Sequence, residues 1–220
     1  MIDRILTLIA PHSCYGCGQL GPVLCPSCMN DIIDESYSRC IFCLKPAARG
    51  AICSQCRNRH GLEAAWCVGE RRHALKSSLD AFKFERVKAA AEVFAQLLDI
   101  SLPVIDQDFV VTTVPSATSH IRQRGYAHMD LVAKNFARRR GLPFRAILEH
   151  HGNQTQHFKS KRQRAENARA SLSITESPPN VLLIDDIVTT GATIETACRL
   201  LKEGGTRQLV VAAIARQPLD

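Results

Sequence analysis

Aromatic side chains are scarce: 5% of the 220 residues, with Trp66 the single tryptophan. Surfaces that bind single-stranded nucleic acid by stacking need such rings, so a nucleic-acid contact made by this chain would be mainly electrostatic. Long apolar runs are missing as well. The longest, Leu209 to Ala215, has seven residues, whereas a membrane-spanning helix takes about 20, and no membrane insertion is expected. Met1 to Ile9 is briefly apolar, but it holds Asp3 and Arg4 and lacks a small-residue cleavage site. It reads as a short amphipathic helix rather than a signal peptide, and a cytoplasmic location is expected. Acids are sparse in one stretch. Between Ser119 and Leu172, 12 Lys and Arg face only Asp130, Glu149 and Glu166, a net +9 against +7 for the whole chain.

Cysteine is nearly absent from the last two thirds of the sequence. Nine of the ten lie between Cys14 and Cys67, and only Cys198 lies outside. That distribution does not suit a small secreted disulfide scaffold, and it divides the chain into a cysteine-rich segment, 1–66, and a second domain, 67–220. Eight cysteines form four pairs of identical spacing, Cys14/Cys17, Cys25/Cys28, Cys40/Cys43 and Cys53/Cys56. Two intervening residues let a tight turn aim both thiolates at one metal ion, and two such turns complete a tetrahedron. Eight thiolates suffice for two zinc ions, paired either in sequence or with the turns interleaved. Disulfides and an iron–sulfur cluster are the competing uses of the same residues. A closed four-thiolate site leaves no open position, so its zinc would hold the fold rather than react. Cys67 and Cys198 have no partner at ligand spacing and read as small buried apolar residues.

From His73 to Asp99, apolar residues recur mostly at three and four, as in helices. Lys76, Lys83, Glu85, Arg86 and Lys88 are expected on the wetter side or in a break between two helices. Phe109 to Val114 reads as a buried strand stopped by Pro115. Arg122 and Arg124 follow that strand closely and precede Gly125, where open α/β sheets bind ligands. Arg138 to Arg140 read equally well as a solvated helix face. Gln154 to Arg169 is polar, basic and nearly free of apolar residues, and reads as an exposed loop of the kind that serves as a lid.

Val181 to Ile184 is a continuous apolar run suited to a strand buried on both faces. Asp185 and Asp186 follow, then Ile187-Val188 and Thr189-Thr190-Gly191-Ala192-Thr193. A helix is expected from Thr193 with Gly204-Gly205 as its stop, and Leu209 to Ala215 as the next strand, which makes a βαβ unit. Backbone N–H groups opening a helix form an anion site, and Gly191 lets the backbone approach closely. Thr189, Thr190 and Thr193 add hydroxyl donors without charge. Two adjacent acids would repel a phosphate, so they suit the hydroxyls of an attached sugar, or a Mg²⁺ shared with it. The loop lacks the Gly-Lys-Ser/Thr of a nucleoside triphosphatase. The pattern points to a phosphorylated sugar with vicinal hydroxyls.

Residues 181 to 193 resemble, at every position, the phosphoribosyl-pyrophosphate (PRPP) motif of type I phosphoribosyltransferases. The whole chain, four C-x-x-C turns followed by this domain, is similar to the ComF family. The resemblance implies an α/β fold, a type I phosphoribosyltransferase-like parallel sheet flanked by helices, with an N-terminal zinc-ribbon-like module. It implies PRPP with Mg²⁺ as ligand, the 5′-phosphate on residues 189–193 and Asp185 and Asp186 on the ribose hydroxyls. Arg122 and Arg124 would then stabilise the departing pyrophosphate, with Lys161, Arg162 or Arg164 closing over it. Family members are associated with natural transformation, the uptake of single-stranded DNA. The family's Arg-Gly-Phe-Asn-Gln is represented by Arg124, Gly125, Tyr126, Ala127 and His128, and a later Arg-x-x-Asn by Arg164 and Asn167. The alternative to a transferase is an inactive single-stranded-DNA-binding adaptor that keeps the phosphosugar site and docks a DNA-uptake helicase through its zinc module.

Overall fold

A computed structural model describes residues 12–35, 37–47, 50–116, 125–151 and 172–218. Its strands are β1 (His12–Ser13), β2 (Leu20–Gly21), β3 (Ala64–Glu70), β4 (Val110–Thr113), β5 (Leu148–His150), β6 (Leu172–Ile174), β7 (Asn180–Val188) and β8 (Gln208–Arg216). At the centre is a four-stranded, wholly parallel sheet in the order β3-β8-β7-β4. Central strands covered on both faces read as unbroken apolar runs. Accordingly Val181 to Ile184 and Leu209 to Ala215 are all buried.

Successive strand residues alternate between faces, and the two faces carry different cores. On one, Val68, Val111, Leu182, Ile184, Val210, Ala212 and Ile214 meet helices α3 (His73–Phe84), α4 (Ala90–Ser101) and α5 (His128–Arg140). Phe82, Phe94 and Phe136 are the largest side chains wholly buried there. On the other, Ala65, Cys67, Val181, Leu183, Val211 and Ala213 meet α6 (Ala192–Glu203) through Ile194, Ala197 and Leu201. The helical periodicity of 73–99 resolves into α3 and α4, separated by a break in which Arg86 takes φ 60°.

The cysteine-rich segment joins both cores. Cys14, Val23, Leu24, Cys28, Met29 and Ile32 pack with the α3–α5 face, whereas Cys40, Ile41, Ala51, Ile52 and Cys56 pack with the α6 face. It also covers the open edge of the sheet, since the Ala51 N–H donates to the carbonyl of Ala65 in β3 at 2.7 Å. An unpaired edge strand invites association. The opposite edge is closed where Val111 of β4 exchanges hydrogen bonds with the 143–145 segment at 2.8 and 3.0 Å. Strand β3, not expected from the sequence, runs across the change in composition at residue 67. Cys67 and Cys198 are buried as expected, and burial pushes both thiols up to about 12.

The basic run Arg138–Arg140 joins two helices. Arg139 pairs with Glu92 and Asp99 of α4 at 2.8 and 3.2 Å. Arg140 binds Asp99 and donates to the carbonyls of Leu102 and Pro103 at 2.9 and 2.7 Å, satisfying acceptors that the end of α4 leaves open. Arg145 pairs with Glu176 at 2.8 Å, and the Lys134 ammonium lies 5.2 Å from the Phe144 ring centroid. These charges are engaged within the fold. Arg122, Arg124 and the 154–169 segment, including Lys159, Lys161, Arg162, Arg164 and Asn167, lie outside the described residues, as does Met1 to Ile9.

Candidate functional site: two thiol tetrads and a loop at the end of the sheet

The four turns assemble in sequence. Cys14, Cys17, Cys25 and Cys28 form one group, and Cys40, Cys43, Cys53 and Cys56 the other, with all four sulfurs of each within 4.8 Å of one another. A tetrahedral zinc with Zn–S near 2.3 Å places its sulfurs about 3.8 Å apart. The Cys17–Cys25 and Cys43–Cys53 sulfurs stand 3.8 and 3.6 Å apart. Donor type, number and spacing all fit structural zinc, and all ten cysteines are free thiols.

Both tetrads are built alike. In each the first pair sits on a turn closed by a backbone bond, Gly18 N–H to Cys14 carbonyl at 2.8 Å and Leu44 N–H to Cys40 carbonyl at 2.9 Å. The second pair sits at a helix start, with Cys25 before α1 (Pro26–Asp34) and Cys53 before α2 (Ser54–His60). Helix N-termini and free N–H groups favour thiolates. Burial pushes Cys14 up, but the N–H groups of Cys17, Cys25 and Gly16 outweigh it and bring the thiol down to about 6. The Cys56 N–H, working against burial, brings Cys53 down to about 7. Burial and the neighbouring thiols push Cys28 and Cys56 upward.

At the carboxyl end of the sheet, β7 continues past its neighbour. Pairing with β4 ends at Ile184, whereas pairing with β8 runs on to Val188. Asp185 and Asp186 therefore sit in the strand itself, beyond the point where its pairing with β4 stops. The strand hands over to Thr189-Thr190, both exposed, and then to Gly191. Gly191 takes φ 80° and is the N-cap of α6, with no side chain capping that helix. A left-handed φ favours glycine, and an uncapped helix start presents its first N–H groups outward. Exposed Ala192 and Thr193 open the helix, and the Thr190 hydroxyl accepts from the Ala192 N–H at 3.4 Å. A helix start of this kind can receive an anion.

The two acids are in different electrostatic states. Asp186 lies on the sheet face of Leu182 and Ile184, where the Lys83 ammonium meets its Oδ2 at 2.7 Å and His128 Nε2 meets the same oxygen at 2.6 Å. Burial would raise its carboxyl, but the His128 hydrogen bond and the Lys83 charge outweigh it and hold Asp186 below the usual carboxylate range. Among the described residues no cation pairs directly with Asp185. Burial, reinforced by the charge of Asp186, raises its carboxyl well above the ordinary value, while its Oδ1 accepts the Asp186 N–H at 2.9 Å.

Asp185, Asp186, Thr189, Thr190, Gly191, Ala192 and Thr193, the candidate residues of the sequence, follow one another from the end of β7 into α6. Two residues from elsewhere in the chain join Asp186 there. Lys83, expected on a wet helix face or in a break, has a side chain only 13% exposed. The helical pattern could not reveal this, because Lys83 is 103 positions from its partner. His128 had a signal, since it stands where the family pattern has a glutamine.

A family model for the phosphoribosyl transferase domain matches residues 121–219. Among curated proteins, the chain is 26% identical to competence protein ComFC of Bacillus subtilis over 193 residues, 83% of this chain and 79% of that one. It is 25% identical to competence protein F of Haemophilus influenzae over 210 residues, 88% and 90% of the two chains. DNA utilization protein YhgH of Salmonella typhi matches at 24% over 224 residues, 89% and 97%. Among solved structures, B. subtilis glutamine phosphoribosylpyrophosphate amidotransferase, complexed with ADP and GMP, aligns with a TM-score of 0.43 and 22% identity. That alignment covers 58% of this chain but only 26% of the amidotransferase. An adenine phosphoribosyltransferase aligns with a TM-score of 0.36 and 18% identity, over 64% and 76%.

Proposed function

We propose that the chain is a ComF-type protein that binds PRPP or another 5-phosphorylated ribose ligand in the uptake or metabolism of single-stranded DNA. One observation carries the ligand class: a buried strand with two acids near its end leads through a left-handed Gly191 into a helix that its N-cap residue leaves uncapped. In this reading the N–H groups of residues 190–193 and the hydroxyls of Thr189, Thr190 and Thr193 bind the phosphate. The backbone donors need no counter-charge, because the helix start favours an anion. Asp185 and Asp186 face the ribose hydroxyls.

Mg²⁺, held by Asp185 with the ligand's own oxygens, would supply positive charge for a departing pyrophosphate. An unliganded Asp185 is disfavoured as an anion by its burial and by Asp186. A cation or a sugar hydroxyl at that place relieves the cost, which supports Asp185 as the ligand-facing acid. Lys83 and His128 fix the Asp186 carboxylate. Arg122 and Arg124 remain the residues proposed for the pyrophosphate.

The role in DNA uptake rests on the competence proteins that the chain is similar to. A catalytically inactive binding protein, docking a helicase through its cysteine-rich segment, is the second reading. The engagement of Asp186 by Lys83 and His128 favours it, because that acid is already partnered before a ligand arrives. Thermal unfolding with PRPP and Mg²⁺ tests the shared premise. The melting temperature should rise with ligand, and the Asp185→Asn/Asp186→Asn double variant should lose the rise. Pyrophosphate release, measured with and without single-stranded DNA, separates the readings, since the binding protein gives none.

A further inference from the structure

The second tetrad touches the anion loop and the first does not, and the contact runs through a position at which the two turns differ. Aligning Cys14 with Cys40 sets Gly16 against Phe42. A side chain could not be accommodated at Gly16, because a Cβ there would lie 2.5 Å from the Cys28 sulfur. Phe42 instead reaches away from its tetrad. One side of its ring stacks on His60 of α2, with centroids 4.2 Å apart and planes 25° apart. Its edge lies against Gly191, where a Cβ would come within 3.1 Å of the Phe42 Cδ1. His60 in turn approaches Glu195 of α6 at 3.8 Å.

A second link runs beside it. Arg216, at the end of β8, is 3% exposed. Its Nε donates to the Ile41 carbonyl at 2.9 Å, and its Nη1 to the carbonyls of Val188 and Gln217 at 2.9 and 2.8 Å. Ile41 lies between the paired cysteines of the second turn, and Val188 immediately precedes the 189–193 loop. One guanidinium therefore binds the metal turn and the loop entrance together. A planar, rigid fork of donors suits such a bridge.

We infer that Phe42 and Arg216 are positioning residues that couple metal occupancy of the Cys40/Cys43/Cys53/Cys56 tetrad to the conformation of the 189–193 loop. A cradle of backbone N–H groups binds an anion well only if it is already in place, because ordering it on binding consumes affinity. The metal fixes the turn, the turn fixes Phe42 and the Ile41 carbonyl, and these hold Gly191 and Val188. Coupling between two ligands is reciprocal, so an anion in the loop should also slow release of metal from this tetrad. The first tetrad packs against α1 and α3 and has no such path. The effect on ligand affinity rests on the phosphosugar reading, whereas the ordering of the loop does not.

Hydrogen exchange followed on peptides covering 189–193 tests the coupling in the full metal-loaded chain, without ligand and with ribose 5-phosphate. Phe42→Ala keeps every thiol, and its metal content should stay that of the parent. Its loop amides should exchange about tenfold faster and its affinity for ribose 5-phosphate fall by about the same factor. Phe42→Tyr, which keeps the ring, should restore both. Cys43→Ser should accelerate the same amides, and Cys17→Ser should leave them near the parent rate. Unchanged exchange in both Phe42→Ala and Cys43→Ser overturns the inference. So does equal acceleration by Cys17→Ser, which would mean general loosening. Metal-dependent exchange in a loop that ribose 5-phosphate never protects would sink the phosphosugar reading and leave the coupling standing.

Discussion

The two thiol tetrads are near copies in construction and opposites in placement. Each joins a turn to a helix start, and each brings four sulfurs to metal spacing. Yet the first packs with α3 to α5 on one face of the sheet and the second with α6 on the other. Only the second reaches the loop where the ligand would sit. Repetition of a motif therefore says what each copy binds but not what each copy supports. The residues between the cysteines decide that, Gly16 in one turn and Phe42 in the other.

The largest expected effect treats the copies as equals. Withdrawing metal from both tetrads should unfold the cysteine-rich segment, because structural zinc contributes on the order of 10 kcal/mol to small sites of this type. Loss of cooperativity in thermal melts with a strong chelator would show it. Matched core truncations should then separate them. Leu24 and Ile41 are both fully buried, one beside each tetrad, and Leu24→Ala and Ile41→Ala should each cost about 2–5 kcal/mol. Denaturant melts should find similar losses, while only Ile41→Ala weakens ribose 5-phosphate binding. If both weaken it alike, the distinction between the tetrads fails.

A third variant probes the ligand end of the sheet. The folded carboxyl of Asp186 lies below its unfolded value near 3.9, so its contribution is present above about pH 4 and is lost as pH falls through the folded value. Lys83→Met removes its ammonium partner, and breaking a largely buried pair costs about 3 kcal/mol. The difference in melting temperature between Lys83→Met and the parent should therefore be widest near pH 7 and shrink as pH falls below 4. A gap that stays constant with pH would assign Lys83 a packing role only. The smallest effect returns to the turns. Gly18 and Leu44 occupy equivalent places with φ 77° and 61°, and a left-handed leucine is strained by about 1 kcal/mol. Leu44→Gly should stabilise the second turn by up to that amount, read as a small rise in melting temperature.

Much of this was legible from local pattern. The 181–193 segment specifies strand, glycine turn and helix within one βαβ unit, and the cysteine spacing specifies the turns. The strand proved longer than its apolar run, because Asp185 to Val188 keep their ladder with β8 after β4 has ended. What local pattern could not supply was pairing across the chain. β3 is a strand because β8 lies beside it, and Lys83 is buried because Asp186 lies opposite. A basic excess marks the stretch before residue 172. Arg138 to Arg140 proved to be ties to α4 and its exit, since a charge count carries no direction.

The central claim is a phosphorylated-ribose site at the end of β7, and calorimetric titration of PRPP with Mg²⁺ into the zinc-loaded protein tests it most directly. The account predicts saturable binding at one site per chain, abolished by Asp185→Asn/Asp186→Asn with zinc content unchanged. No saturable heat, or binding that survives the double substitution, would contradict it.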